Sequence, residues 1–361
     1  MVCMTPVPEL YTWEECKTHV DTALRKFLSA RIEAYTPLTT DPLLRDAIYH
    51  ATRIAIHGSK RVRTYSAYLA YVSHAQSREI PSYFWDVCAS IELFHAFLLI
   101  QDDVIDRGTM RHGLVCLHSY IHTRLVQEKR SGDLDHIAES YTYLISDLMY
   151  TWVYDCLRAP TPMDVLPLLL SQFSSATDTV VIGQLLDVDH TTKRRVRTWE
   201  IETKHELKTA HYSFVFPMQI GQLLAHAHES LLSESIGVPL GMAYQLQDDL
   251  LDIVSDVATT GKTMCSDVYE GKHTYLTQFV REFGSNTDKH ILSKYFGKRG
   301  GDVSEYELRM LFQDSGAIAF TRTKVDAYIE KAMKAVLAFP IAPNVQALWL
   351  DFFEALMTRE T

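Results

Sequence analysis

Apolar residues recur along this 361-residue chain at helical rather than alternating spacing. Helix start signals punctuate the pattern. Thr12-x-x-Glu15 and Ser304-x-x-Glu307 are capping boxes, in which a hydroxyl and a carboxylate satisfy each other's backbone N–H groups ahead of an apolar-periodic segment. Asp41-Pro42 pairs an N-cap with a proline at the first helical position, where a missing N–H does no harm. Ser82 opens a long pattern through Trp85, Ile91, Phe94 and Leu98. Further helices are expected over roughly 43–57, 60–76, 136–157, 163–188, 198–227, 235–256, 315–338 and 345–358. Breaks fall at Pro37–Thr40, Gly108, Arg130–Gly132, Ala159–Pro162, His190–Thr192, Thr259–Gly261 and Pro340–Pro343, and none is long enough to be a linker. Strand-like alternation is scarce. The economical reading is all-α: one domain over 1–361, a bundle of about ten or more helices.

Composition narrows the class. Hydrophobic residues make up 47% and charged residues 22%, ordinary usage for a soluble globular chain. A formal net charge of -10 argues against a general nucleic-acid binder. The basic run Lys193-Arg194-Arg195-Val196-Arg197 reads as a solvated loop. Six cysteines are scattered without a C-x-x-C pair, the pattern of unpaired thiols in a reducing compartment. The start, MVCMTPVPEL, lacks the basic-then-apolar order of a secretory signal. Thr209 to His228 holds no Asp, Glu, Lys or Arg, but its Gln, His, Ser and Pro217 are too polar for lipid and suit a protein interior. No membrane span and a cytoplasmic location are expected.

Two acidic motifs change the picture. "LLIQDDVIDRG" places Asp102, Asp103 and Asp106 after an apolar run, and "YQLQDDLLDIV" places Asp248, Asp249 and Asp252 on a similar background. In D-D-x-x-D on a helix, the first and last aspartates share a face. Two such clusters repel unless a cation neutralises them, and carboxylates without Cys or His select a hard ion, magnesium best. Basic residues supply the complement of a phosphate site. Lys60, Arg61 and Arg63 open a helix in "HGSKRVR", where backbone N–H groups add to side-chain charge. Arg111 follows the first aspartates, while Lys208, Lys262 and Lys272 flank the second.

These residues resemble the trans-isoprenyl diphosphate synthases over nearly the whole chain, from about Leu43 to the last helices. The first aspartate motif of that family is similar to Asp102-Asp103-x-x-Asp106, and the second to Gln245-x-x-Asp248-Asp249-x-x-Asp252. Its G-G-K-R-x-R stretch is Gly58-Ser59-Lys60-Arg61-Val62-Arg63 here. Glu92-Leu93-Phe94-His95 matches E-x-x-H, and Gly183-Gln184-Leu185-Leu186-Asp187 matches G-Q-x-x-D. Lys208-Thr209 and the loop carrying Gly261-Lys262, Asp267, Gly271-Lys272 and Thr274 complete the set.

The resemblance implies an all-α bundle around a central cavity and a homodimer. It also implies a reaction in which isopentenyl diphosphate is condensed with an allylic diphosphate. Three magnesium ions would be held by Asp102, Asp106 and Asp248, with Asp103, Asp249 and Asp252 supporting them. Arg111, Lys208 and Lys262 would bind the allylic diphosphate, with Lys272 nearby. Lys60, Arg61, Arg63, His95 and His112 would serve isopentenyl diphosphate. The Lys208 carbonyl, Thr209 and Gln245 would face the allylic cation, and Phe97, with Leu98 behind it, would floor the chain cavity. The chemistry suits these residue types, because cations preorganised around a leaving diphosphate stabilise the charge that develops.

Several positions depart from the family pattern. His112 replaces the second arginine of R-R-G, Ser59 replaces a glycine and Thr64 a proline. Val115-Cys116-Leu117-His118 stands for P-T-x-H. All lie on the isopentenyl side. The expected activity is a short-chain prenyltransferase making geranylgeranyl or farnesyl diphosphate. A terpene synthase of the same fold and a non-catalytic partner subunit of a prenyltransferase are the alternatives.

Overall fold

The computed structural model describes residues 10–75, 79–227, 232–254, 265–298 and 304–358, and nearly all regular structure among them is helical. Contacts divide the chain into two compact units, Met1–Leu170 with Ile220–His228, and Ser171–Gln219 with Glu229–Thr361.

The first unit opens with α1 (Trp13–Tyr35), whose cap is the reciprocal box expected: the Thr12 hydroxyl accepts from the Glu15 N–H while the Glu15 carboxylate accepts from the Thr12 N–H. Asp41 caps α2 (Pro42–Ile56) and Pro42 takes its first position. After α3 (Val62–His74) comes α4 (Phe84–Ile105), which ends in the first aspartate motif. Alone among the described helices, α4 is long and apolar enough to cross a membrane, yet 67% of that apolar stretch is buried in the fold. Its partners explain its composition. Packed against α1, α2, α3 and α6 (Leu134–Arg158), it has almost no solvated side to fill with polar residues.

Between α4 and α5 (Leu117–Gln127) lies the one pair of strands among the described residues, a hairpin of β1 (Met110–Arg111) and β2 (Leu114–Val115). Its two-residue turn is His112-Gly113, with φ of 50° and 76°. Positive φ at both positions is the type I′ geometry that two-residue hairpins favour. Strands this short leave no alternation to detect in the sequence.

The second unit contains most of α7 (Leu166–Thr192), then α8 (Thr198–His205), a π-helical segment Glu206–Val215 and the start of α9 (Phe216–Leu224). The single helix expected over 198–227 is therefore three segments. Close backbone approach accompanies the widened turn. A Cβ on Gly183 would lie 2.4 Å from the Lys208 nitrogen, and one on Gly241 would lie 2.3 Å from the Ala210 Cα. Apolar periodicity reports one face of a helix and cannot show an extra residue per turn.

The remaining elements are α10 (Leu232–Val254), α11 (Ser266–Glu270), α12 (Tyr275–Phe283), α13 (Asn286–Tyr295), α14 (Glu305–Asp314), α15 (Ala317–Ala338) and α16 (Pro343–Met357). The long α10, carrying the second aspartate motif, packs on α15 and on the π-helical segment. The second capping box is only half formed. Ser304 accepts the Glu307 N–H, but the Glu307 carboxylate is held instead by Lys294, 2.9 Å away, and by the Tyr295 hydroxyl. A charged donor outcompetes a backbone N–H.

Candidate active site

Each aspartate motif leaves its outer members half-buried and buries its middle one. In the first unit Asp102 and Asp106 are half-buried while Asp103 is 2% exposed. Asp106 is the C-cap of α4, and its N–H bonds the Asp102 carbonyl, which sets the two residues one turn apart. Asp103 turns to Arg111, accepting from Nε and Nη2 at 2.6 Å, and Nη2 lies 3.5 Å from an Asp102 oxygen. Burial opposes the Arg111 charge, but Asp103 and Asp102 more than compensate and strengthen it. The hairpin thus returns Arg111 to the motif it follows in sequence.

The residues expected to serve isopentenyl diphosphate lie in the same unit. Burial, reinforced by Arg63, Arg111, His112 and Arg61, holds the His95 imidazole well below its ordinary pKa. A neutral imidazole set among cations favours an incoming anion. The tip of the hairpin reaches the "HGSKRVR" loop because Gly58 has no side chain: a Cβ there would lie 2.5 Å from the His112 Cβ. His112 and Lys60 are exposed, Arg63 half-buried.

Arg61 corrects the sequence reading. It is 2% exposed, and its guanidinium gives Nε to Asp21 at 2.7 Å, Nη1 to Glu92 and the Ala55 carbonyl, and Nη2 to the carbonyls of Ala55 and Ile56. All five of its N–H donors are consumed, so none is left for a diphosphate. Two of the departures serve the same knot. Thr64 gives its hydroxyl and N–H to Glu92 at 2.8 and 3.3 Å, and the Ser59 hydroxyl reaches Glu92 at 3.4 Å. Glu92 therefore organises the turn that carries Lys60 and Arg63.

Deeper on α4, Phe97 is 6% exposed and stacks on Tyr150 of α6 with ring centroids 4.7 Å apart. Leu98 is half-buried. At about 100° per residue, Leu98 shares the face of Asp102, whereas Phe97 points roughly 140° away.

The second unit holds its own array. Asp248 and Asp252 are half-buried; Asp249 is 3% exposed. The Thr209 hydroxyl donates to Gln245 Oε1 at 2.5 Å, and Gln245 Nε2 donates to Asp249 Oδ1 at 2.8 Å. This relay fixes the amide so that its oxygen faces Thr209. Burial, with Asp267 and Asp248 nearby, raises the Asp249 carboxyl well above the usual range. Asp252 instead accepts the Ser266 hydroxyl and N–H and the Asp267 N–H at 2.7, 3.1 and 3.2 Å, holding the start of α11.

Lys208 Nζ contacts Asp187 at 2.7 Å, and Lys204 contacts the other Asp187 oxygen at 3.0 Å. Burial opposes ionisation of Asp187, but Lys204, Lys208 and Lys272 together hold its carboxyl well below the usual range. Lys272 also pairs with Glu270 at 2.8 Å. Lys204, 4% exposed and bonded to the His273 carbonyl, is a member that the sequence reading misses; its spacing of four from Lys208 is the one available signal. Lys262 and Gly261 lie outside the described residues. Among the described residues no cluster of three or more His, Cys, Asp or Glu side chains encloses a metal. The half-buried carboxylates suit a cation that completes its shell with water and phosphate oxygens, as magnesium does.

Residues 44–310 match the family model for polyprenyl synthetase. The chain is 27% identical over 366 residues to the geranylgeranyl diphosphate synthase of Methanosarcina mazei, with 100% of each chain covered. It is 28% identical to the farnesyl pyrophosphate synthase of Bos taurus over 75% of this chain and 74% of that one. In fold it is similar to a geranylgeranyl pyrophosphate synthase from Corynebacterium glutamicum, solved in complex with isoprenyl diphosphate and magnesium. The TM-score is 0.89 at 24% identity, covering 97% of this chain and 100% of that structure. A match spanning both aspartate motifs and both groups of basic residues makes this chain a member of the polyprenyl synthetase family.

Proposed function

We propose that the protein is a short-chain trans-prenyltransferase. It condenses isopentenyl diphosphate with an allylic diphosphate to give geranylgeranyl or farnesyl diphosphate. The observation that carries this reading is that the first aspartates, Asp102 and Asp248, stay half-buried while the second, Asp103 and Asp249, are turned into the protein in both motifs. Asp102, Asp106 and Asp248 are assigned to three magnesium ions. When bound, magnesium neutralises the leaving diphosphate.

The chain's own groups do the rest. Arg111, Lys208 and Lys262, with Lys272, hold the allylic diphosphate as its carbon–oxygen bond breaks. The Lys208 carbonyl, the Thr209 hydroxyl and Gln245 turn oxygens towards the allylic cation. Lys60, Arg63, His95 and His112 hold isopentenyl diphosphate, whose double bond attacks the cation. The proton lost from the new adduct goes to the departed diphosphate.

Residues 1–361 are read as one catalytic domain working in the cytoplasm, a setting that suits the five described cysteines, all buried and none in a disulfide. The homodimer rests on an exposed apolar stripe of α7, where Val181, Ile182, Leu185 and Val188 are 42 to 63% exposed.

One experiment tests the reading. Purified protein is incubated with magnesium, labelled isopentenyl diphosphate and each allylic primer in turn. Labelled longer diphosphates are expected. Hydrocarbons or alcohols formed without isopentenyl diphosphate, or no turnover with any primer, would overturn it.

A further inference from the structure

The basic run that the sequence presents as a solvated loop lines a cleft. A cavity of about 1330 Å³ opens between the segment after α7 and the α12–α13 pair, entirely within the second unit. It contains none of the residues assigned to prenyl transfer. Six cationic side chains line it: Lys193, Arg194, Arg195, Arg197, Arg281 and Lys289, against two carboxylates, Glu200 and Glu282. On a chain of formal net charge -10 that excess is local and specific.

Most of this charge is uncompensated. Lys193 pairs with Asp189 at 2.7 Å and lies 3.8 Å from Glu200. Arg197 acts on the Glu200 carboxylate, which also accepts its backbone N–H at 2.9 Å, while Arg194, Arg195, Arg281 and Lys289 make no ion pair with a carboxylate among the described residues. Arg281 is the sharpest case. Its guanidinium lies 4.3 Å above the Phe296 ring and gives Nη1 to the Arg194 carbonyl at 3.3 Å, while its Nε is buried without a hydrogen-bond partner. Burial first, and then Arg195, weaken its hold on its proton. A cation taken out of water beside another cation is unfavourable until an anion joins them.

We infer that this cleft binds an organic polyphosphate, its phosphates on Arg195, Arg281 and Lys289 and its organic part on Trp199. Guanidinium forks match phosphate oxygens two at a time, which suits a multiply charged phosphate better than a carboxylate. Trp199 is 57% exposed on the lining, and Phe296 forms an apolar floor beneath Arg281. A concave site favours a small molecule over a flat lipid surface, and the acidic remainder of the chain repels nucleic acid. Because fixed guanidinium groups supply the charge, binding needs no magnesium. The inference stands apart from the prenyltransferase reading.

The test uses the full chain, stripped of divalent cations with a chelator, and ATP as the probe. Calorimetric titration is expected to show saturable binding that weakens at least tenfold in the double variant Arg195→Glu, Lys289→Glu. Both are lining residues outside the catalytic groups, so prenyl transfer should be unchanged. The ATP-dependent change in tryptophan emission should vanish in Trp199→Phe. Equal affinity in the double variant, or no saturation below millimolar ATP, overturns the proposal. So does charge-dependent capture by phosphatidylserine vesicles without ATP binding, which would make the cleft a membrane contact.

Discussion

Replacing each of two neighbouring aspartates by asparagine separates a carboxylate that holds charge from one that holds geometry. Asp248 is half-buried and is assigned to magnesium, whereas Asp249 is 3% exposed and accepts a 2.8 Å hydrogen bond from Gln245. Burial, then Asp267 and Asp248, favour the neutral form of Asp249. Asparagine is nearly isosteric with a neutral carboxyl, and its oxygen can still accept from Gln245. Asp249→Asn should therefore keep kcat within about threefold, since the relay to Thr209 survives. Asp249→Leu removes the acceptor and frees the Gln245 amide to turn. Losing one hydrogen bond of about 0.5–1.5 kcal/mol at an orienting position should lower kcat by about two- to tenfold. Asp248→Asn removes a charge that stabilises the leaving diphosphate, and a loss on the order of 10³-fold is expected, as for other groups aimed at developing charge. The assay is single-turnover product formation under saturating magnesium and both substrates, with circular dichroism confirming the fold. If Asp249→Asn falls as far as Asp248→Asn, then Asp249 acts as a charged ligand and the positioning argument is wrong.

Other consequences are equally direct. Arg61→Met strands Glu92 and Asp21 in the first unit and should cost about 3–5 kcal/mol in denaturant unfolding, the range for breaking a buried pair. A loss under about 1 kcal/mol would restore Arg61 as a candidate for substrate. Phe97→Ala should lengthen the main product by at least one isoprene unit while costing about 3–5 kcal/mol, because its ring packs on Tyr150. Leu98→Ala, on the Asp102 face, should lengthen it at lower cost, and chromatography of dephosphorylated products decides both. Finally, burial depresses the pKa of His50, His95 and His205, and takes His273 from 6.5 to about 4. The unfolded chain then binds more protons than the fold, so stability falls as pH drops from about 6.5 towards about 4. Melting temperatures of the metal-free protein should show that decline, and a flat profile across the window contradicts it.

What the sequence determined was local. Caps at Thr12, Asp41 and Ser304 mark helix starts because a side chain and a backbone N–H three residues on meet wherever the chain turns. The D-D-x-x-D spacing was readable for the same reason, since helical geometry alone puts Asp102 with Asp106. Tertiary structure decided what lies across the chain. Lys60, Arg61 and Arg63 look alike in sequence, yet Arg61 is buried against Asp21 and Glu92, 40 and 31 residues away, while Lys60 is exposed. The hairpin that returns Arg111 to Asp103 and the widened turn at Lys208 depend on close approaches at Gly58, Gly183 and Gly241. The basic run became a cleft only when Arg281 and Lys289 were folded against it. Periodicity records which face of a segment is apolar; which charge meets which partner depends on contacts that the spacing of residues does not carry.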